Sequence, residues 1–314
     1  MGQILTWRAI TAGHIATFEN QFKIKEKCRQ VLQAADCITD AFFIGSTERF
    51  DFTLRSDVDI VVGFIAKARA EVESMLDTLK KEAAKVHVPL HFRLVDNQLG
   101  KTRFHGLGPT FVRLTVNNGG HIKGDFSWLA LTHGTLQDEL ADYLRGKMRE
   151  VDFLDDPRAF TGTEKDVVKL LQVALEASLE VARTMVIADR INRKEEVGHE
   201  SKGSVGETYR ERMPGELSRQ LEVLTQIDKD YTAHLVNIVA RVQKLKEGVK
   251  GTRGKKITKQ KQEAYKAQMR ECQQEYKFFL GHTQLELRAA GVPSFIRGNA
   301  VWLDAMKIVA PIRR

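Results

Sequence analysis

The sequence predicts an α+β fold, a mixed β-sheet with flanking helices followed by an all-helical lobe. Three observations carry this reading. Short apolar runs of strand length concentrate before residue 131, whereas long Ala-, Leu- and Lys-rich helical patterns fill the chain after about residue 156. The 314 residues, 42% hydrophobic, exceed the roughly 150 residues of one average domain. The division falls at Asp155-Asp156-Pro157, giving a sheet domain over 1–155 and a helical domain over 156–314.

The elements follow in order. From Thr17 to Ala35 the apolar residues Phe18, Phe22, Val31 and Leu32 recur at helical spacing among Lys, Glu and Gln. Ala41-Phe42-Phe43-Ile44, closed by Gly45-Ser46, reads as a buried strand, and Val58 to Phe64 as a second. Ala66 to Lys85 places Val72, Leu76 and Leu79 on one face of an amphipathic helix. His87 to Val95 suits a strand, and Gly100 to Pro109 a basic, glycine-rich loop. Phe111–Val116 and His121–Leu131 read as strands around Asn117-Asn118-Gly119-Gly120, residues that tolerate the positive φ of a hairpin turn.

In the second half a helix opens at Val167 and runs to about Ile191. Arg193 to Arg212, polar and interrupted by Gly198, Gly203 and Gly206, is expected to be an exposed connection. Two further helices are expected over 216–246 and 259–288.

Charge and composition exclude several classes. Forty-nine Lys and Arg against 41 Asp and Glu leave a net +8, which favours polyanionic partners such as nucleic acid or nucleoside triphosphates. Cys28, Cys37 and Cys272 are too few and scattered for a disulfide framework or a zinc site, so reduced, buried thiols are expected. No window holds 18 consecutive apolar residues, and the N-terminus lacks a secretory pattern. The expectation is a cytoplasmic protein without a membrane partner.

The segment from Gly45 to Asp59 carries the chemistry. Gly45 lets backbone approach a phosphate, and Ser46 offers a hydroxyl in a turn whose amides can receive an anion. Eleven residues after Ser46, Asp57 and Asp59 open an apolar strand, where period-two alternation puts both carboxylates on one face. Adjacent carboxylates repel unless a cation lies between them, and magnesium bound through oxygen is the natural candidate. An Asp-x-Asp pair alone would read as no more than a turn entering a strand.

Gly-Ser, two residues, Arg49, six residues and Ser56-Asp57-Val58-Asp59 together resemble the signature of the DNA polymerase β-like nucleotidyltransferase superfamily. That superfamily includes CCA-adding enzymes, poly(A) polymerases, oligoadenylate synthases and bacterial cyclic-oligonucleotide synthases. The resemblance implies a nucleotidyltransferase-type sheet whose two magnesium ions, replaceable by manganese, transfer an NMP from an NTP to a hydroxyl. Gly45, Ser46 and Arg49 would bind the triphosphate, while Asp57 and Asp59 would be catalytic metal ligands. The chain departs from many members at Phe50, where they carry Gly after the Arg.

The resemblance also implies a third carboxylate from a later strand. Asp125 is the first choice and Asp96 the second; His91, mid-strand, would be a substitution that weakens activity. Lys169, in Glu164–Leu171, resembles the basic residue that a helix of two-lobed members lends to the phosphates, with Lys165 as its alternative. An RNA acceptor, such as a tRNA-like 3′ end, is favoured by the basic charge and the second lobe. A nucleotide acceptor would instead make the chain an oligonucleotide messenger synthase, and an inactive nucleic-acid-binding scaffold is the third reading.

A last signal is Lys244, Lys246, Lys250, Arg253, Lys255, Lys256, Lys259 and Lys261, opposed only by Glu247. Such runs are usually solvated faces. The functional alternative is electrostatic capture of RNA or DNA phosphates, with Lys250, Arg253, Lys255 and Lys256 at its centre.

Overall fold

The computed structural model describes residues 5–44, 54, 56–96, 120–124, 164–195, 202–213, 215–250 and 258–291. Within them the chain is a mixed α+β protein with a four-stranded mixed sheet. The order is α1 (Trp7–Ala12), α2 (Phe18–Ala34), β1 (Ile38–Ile44) and β2 (Val58–Phe64). After a 3-10 turn at Ala66–Ala68 come α3 (Arg69–Lys85), β3 (Leu90–Asp96) and β4 (His121–Lys123). Four helices complete it: α4 (Glu164–Arg193), α5 (Lys202–Arg212), α6 (Glu216–Lys250) and α7 (Lys259–Ala289).

Thr17 caps α2, its hydroxyl accepting from Asn20 N at 3.2 Å, and Glu19 complements the positive helix end. Ile24, Cys28 and Leu32 then recur every four residues and enter one apolar cluster with the sheet. Val72, Leu76, Leu79 and Ala83 of α3 join the same cluster. The sheet order is β3-β2-β1-β4. The β2–β3 pair is parallel, joined through α3, and β1 runs antiparallel to both β2 and β4. Phe43, Val58, Ile60, Val62 and Leu90 face the helices, so alternation sends Phe42, Asp59, Val61 and Val95 to the opposite face.

A second apolar cluster belongs to the helices. α4 is buried on nearly all sides between Val167 and Ala188, the pattern of a helix at the centre of a bundle. α6 and α7 form an antiparallel hairpin, with Arg241 on Glu275 and the His234 ring against Phe279. The segment Arg193–Arg212, expected as an exposed connection, instead holds α5. Val205 and Tyr209 bury against the bundle, and Arg212 bridges Asp189 and Glu195 at 3.0 and 2.9 Å. Helix α6 runs to Lys250, past the expected end at 246.

Helix α1 was not foreseen; its Ile10, with Leu5 and Ile15 on either side of the helix, lies in the helical cluster. Tyr276 Oη donates to Leu5 O at 2.9 Å, Trp7 packs on the Tyr276 ring, and Lys246 Nζ donates to Thr11 O. Tyr276→Phe is expected to strand that buried carbonyl and cost about 1–2 kcal/mol, read as a lower urea midpoint at unchanged slope.

All three cysteines are free and buried, and burial lifts the Cys28 thiol to about 12. No helix among the described residues is long and apolar enough to cross a membrane.

Candidate active site

β1 ends at Ile44, whose antiparallel partner is Asp59. The chain therefore leaves β1 at a point directly beside Asp59 of the Asp-x-Asp pair. On the return, Leu54 packs against the helical cluster, and Ser56 and Asp57 are buried where the chain enters β2. Two contacts fix that entry. Gln21 of α2, itself buried, donates from Nε2 to Ser56 O at 2.8 Å, and Val58 N donates to Pro89 O at 2.9 Å. Gln21 is a positioning residue that sequence reasoning missed. Its signal was a polar residue on the apolar face of α2.

The structure brings the Asp57 and Asp59 carboxyls close enough to interact where the chain enters β2. Burial first, and the Asp57 charge second, push the Asp59 carboxyl from about 3.8 to about 7, with Arg93 opposing. One proton held between two carboxylates relieves the repulsion, and a divalent cation relieves it further. The donor set suits magnesium or manganese: hard carboxylate oxygens, adjacent, with no thiol among them. Among the described residues no group of three or more His, Cys, Asp or Glu could hold a metal.

The parallel neighbour of Asp59 on β3 is His91, and its Nε2 lies 3.7 Å from Asp57 Oδ2. That is beyond a hydrogen bond but within reach of an ion pair when the imidazole is protonated. Asp96 is paired with Phe64, five residues further along β3 and so on the order of 16 Å from the level of His91. The register thus places His91, and not Asp96, beside the dyad.

Other expected site residues are distributed unevenly. Lys169 lies early in α4, half-buried between buried Val168 and Leu170. Gly45, Ser46, Arg49 and Asp125 lie outside the described residues, as do Arg253, Lys255 and Lys256. Lys250 ends α6, its side chain outside the description, and Lys165 is placed in α4 by backbone alone.

No protein-family model matches this chain, and no curated protein or solved structure matches it either.

Proposed function

We propose that the protein is a metal-dependent nucleotidyltransferase that moves an NMP from a nucleoside triphosphate to an acceptor hydroxyl, with RNA the favoured acceptor. The observation that supports this most is the Asp57–Asp59 pair, two interacting carboxyls at the head of β2 with Asp59 opposite Ile44, the last residue of β1. A structural ion pair would set a cation against each acid. Here two acids lie side by side, the Asp59 carboxyl raised by burial and by the Asp57 charge, an arrangement costly to fold around and useful for gripping a divalent ion.

Asp57 and Asp59 would hold the ion, with Asp125 completing the set as the resemblance implies. A bound magnesium supplies charge neutralisation for the triphosphate and lowers the pKa of the acceptor hydroxyl. The chain's own residues do the rest. Gly45 and Ser46 cradle phosphate oxygens, while Arg49 and Lys169 offset their charge. Gln21 holds the Ser56 carbonyl so that both carboxylates keep one orientation. The acceptor oxygen bonds to the α-phosphorus as its proton leaves, the bond to the β-phosphate breaks, and pyrophosphate departs.

Incubation with each labelled NTP, magnesium or manganese and total RNA tests the proposal. The expected outcome is label in RNA, dependent on the metal and lost in Asp57→Ala. Label in free oligonucleotide without added RNA would identify a messenger synthase of the same chemistry. No label in RNA, oligonucleotide or protein with any NTP would leave the inactive scaffold as the surviving reading.

A further inference from the structure

The net charge of this protein is not spread over its surface. Residues 244–271 contain ten Lys and Arg against three Glu, a surplus of seven within a whole-chain charge of +8. The remaining 286 residues are therefore almost neutral. Its described parts, 244–250 and 258–271, are the adjoining ends of α6 and α7. Val242 is the last buried residue of α6 and Cys272 the first of α7, and no described residue between them is buried. The α7 portion that precedes Cys272, from Lys259, spans about 20 Å at 1.5 Å per residue. Arg241 with Glu275 ties the two helices together at its base.

Two features distinguish this arm from an ordinary solvated face. Most charged helical faces alternate sign and neutralise themselves through pairs one turn apart. On the described arm one such pair forms, Lys266 with Glu263 at 2.9 Å, while Lys244, Lys259, Lys261 and Arg270 stand exposed. Lys259 and Lys261 also fall in or beside the first turn of α7, which holds no acidic residue, so they oppose the helix dipole. Like charges gathered on a projecting hairpin destabilise it, and a polyanion laid along it removes that cost. Tyr265, half-buried, is the single aromatic of the segment, which leaves little for base stacking.

We infer that the projecting end of the α6–α7 hairpin is a nucleic-acid-binding arm that grips the phosphate backbone without reading sequence. Lys244, Lys259, Lys261 and Arg270 make the contacts. Lys246 is excluded, because it is engaged with the end of α1. The arm's role is separate from the chemistry at Asp57 and Asp59 and does not depend on it.

The test is fluorescence anisotropy with a labelled 20-nucleotide single-stranded RNA at 50–200 mM NaCl, without NTP or divalent metal. Two full-length quadruple variants, each lowering the charge by four, are compared with the wild type. The first is Lys244→Gln, Lys259→Gln, Lys261→Gln and Arg270→Gln. The second, a control of equal charge change, is Lys67→Gln, Lys81→Gln, Lys85→Gln and Lys194→Gln, all exposed and off the arm. The arm variant is expected to bind at least about tenfold more weakly at 100 mM NaCl and to flatten the plot of log affinity against log salt. The control should stay within about twofold of wild type, and circular dichroism should show both folded. Equal losses in both variants, no loss in the arm variant, or no RNA binding by the wild type at 50 mM NaCl would overturn the inference. A Gln variant that binds RNA normally but fails on anionic phosphatidylserine vesicles would assign the arm to a membrane surface and overturn it as well.

Discussion

Asp59→Asn is expected to silence nucleotidyl transfer and to stabilise the protein at the same time. The catalytic loss follows from removing one of two charged ligands and should be on the order of 10³-fold or more in turnover. The stability gain follows from linkage. The folded carboxyl titrates near 7, against an ordinary value of 3.8, so the native state holds the proton longer than the unfolded chain. Stability from this group is complete below about pH 4 and falls as pH rises towards 7, by at most about 1.4 kcal/mol per unit.

Asparagine can donate to Asp57 and does not ionise, so its advantage should grow from pH 5 to pH 7.5 and then level off. Solvent reaching the half-buried site screens the effect to about 1–3 kcal/mol. Thermal melts of the metal-free protein at pH 5 and pH 8 measure it. Magnesium added at pH 8 should stabilise the wild type and leave Asp59→Asn nearly unmoved. A variant that melts lower at both pH values would identify the pair as structural. One that keeps more than a tenth of the transfer activity would refute the ligand role of Asp59.

Phe43→Ala is expected to be the most damaging single change in the sheet. Phe43 is completely buried in β1, opposite Ile60 of β2. Two cations of α2 lie over its ring, Lys25 Nζ at 5.1 Å and Arg29 Cζ at 5.4 Å from the centroid. Truncation removes the packing of a large side chain, leaves a cavity between helix and sheet, and takes the aromatic face from buried Lys25. The expected cost is about 3–5 kcal/mol, a large part of the 5–15 kcal/mol of a typical domain.

Phe278→Ala supplies the contrast, because that side chain is 68% exposed on α7 and should change stability by less than about 0.5 kcal/mol. Urea unfolding followed by far-UV circular dichroism compares the two. Similar midpoints for both variants would show that β1 is not the centre of the sheet's stability.

The local code of this chain was strong where period and turn chemistry agree. Helix α2 was legible from Phe18, Phe22, Val31 and Leu32, and its observed span, Phe18–Ala34, departs from expectation by one residue at each end. Strands β1 and β2 were legible because each is a run of apolar residues too short for a helix and bounded by glycine or a charged turn. The adjacency of Asp57 and Asp59 followed from strand alternation alone. Segment 193–212 misled because its glycines and charges signal a connection, whereas burial of Val205 and Tyr209 on α4 outweighs the weak propensity of α5.

What this sequence determined by itself was local: periodicity, turn positions, the pairing of two carboxylates on one face, and where the positive charge is written. Only the tertiary structure decided which partners lie next to these features. Nothing in the spacing of His91 announces that it is the register partner of Asp59, since that depends on how β2 and β3 align after α3 crosses between them. Nothing near Leu5–Ile15 announces burial against Tyr276, more than 250 residues away. Nor does a run of lysines say which of its members lie past the buried core, a point decided for Lys244, Lys259 and Lys261 by the last buried residues, Val242 and Cys272. Chain-local geometry repeats every two or 3.6 residues and leaves its mark in one stretch of sequence. Contacts between distant segments are chosen by the sum of many weak burial terms, and no single stretch carries them.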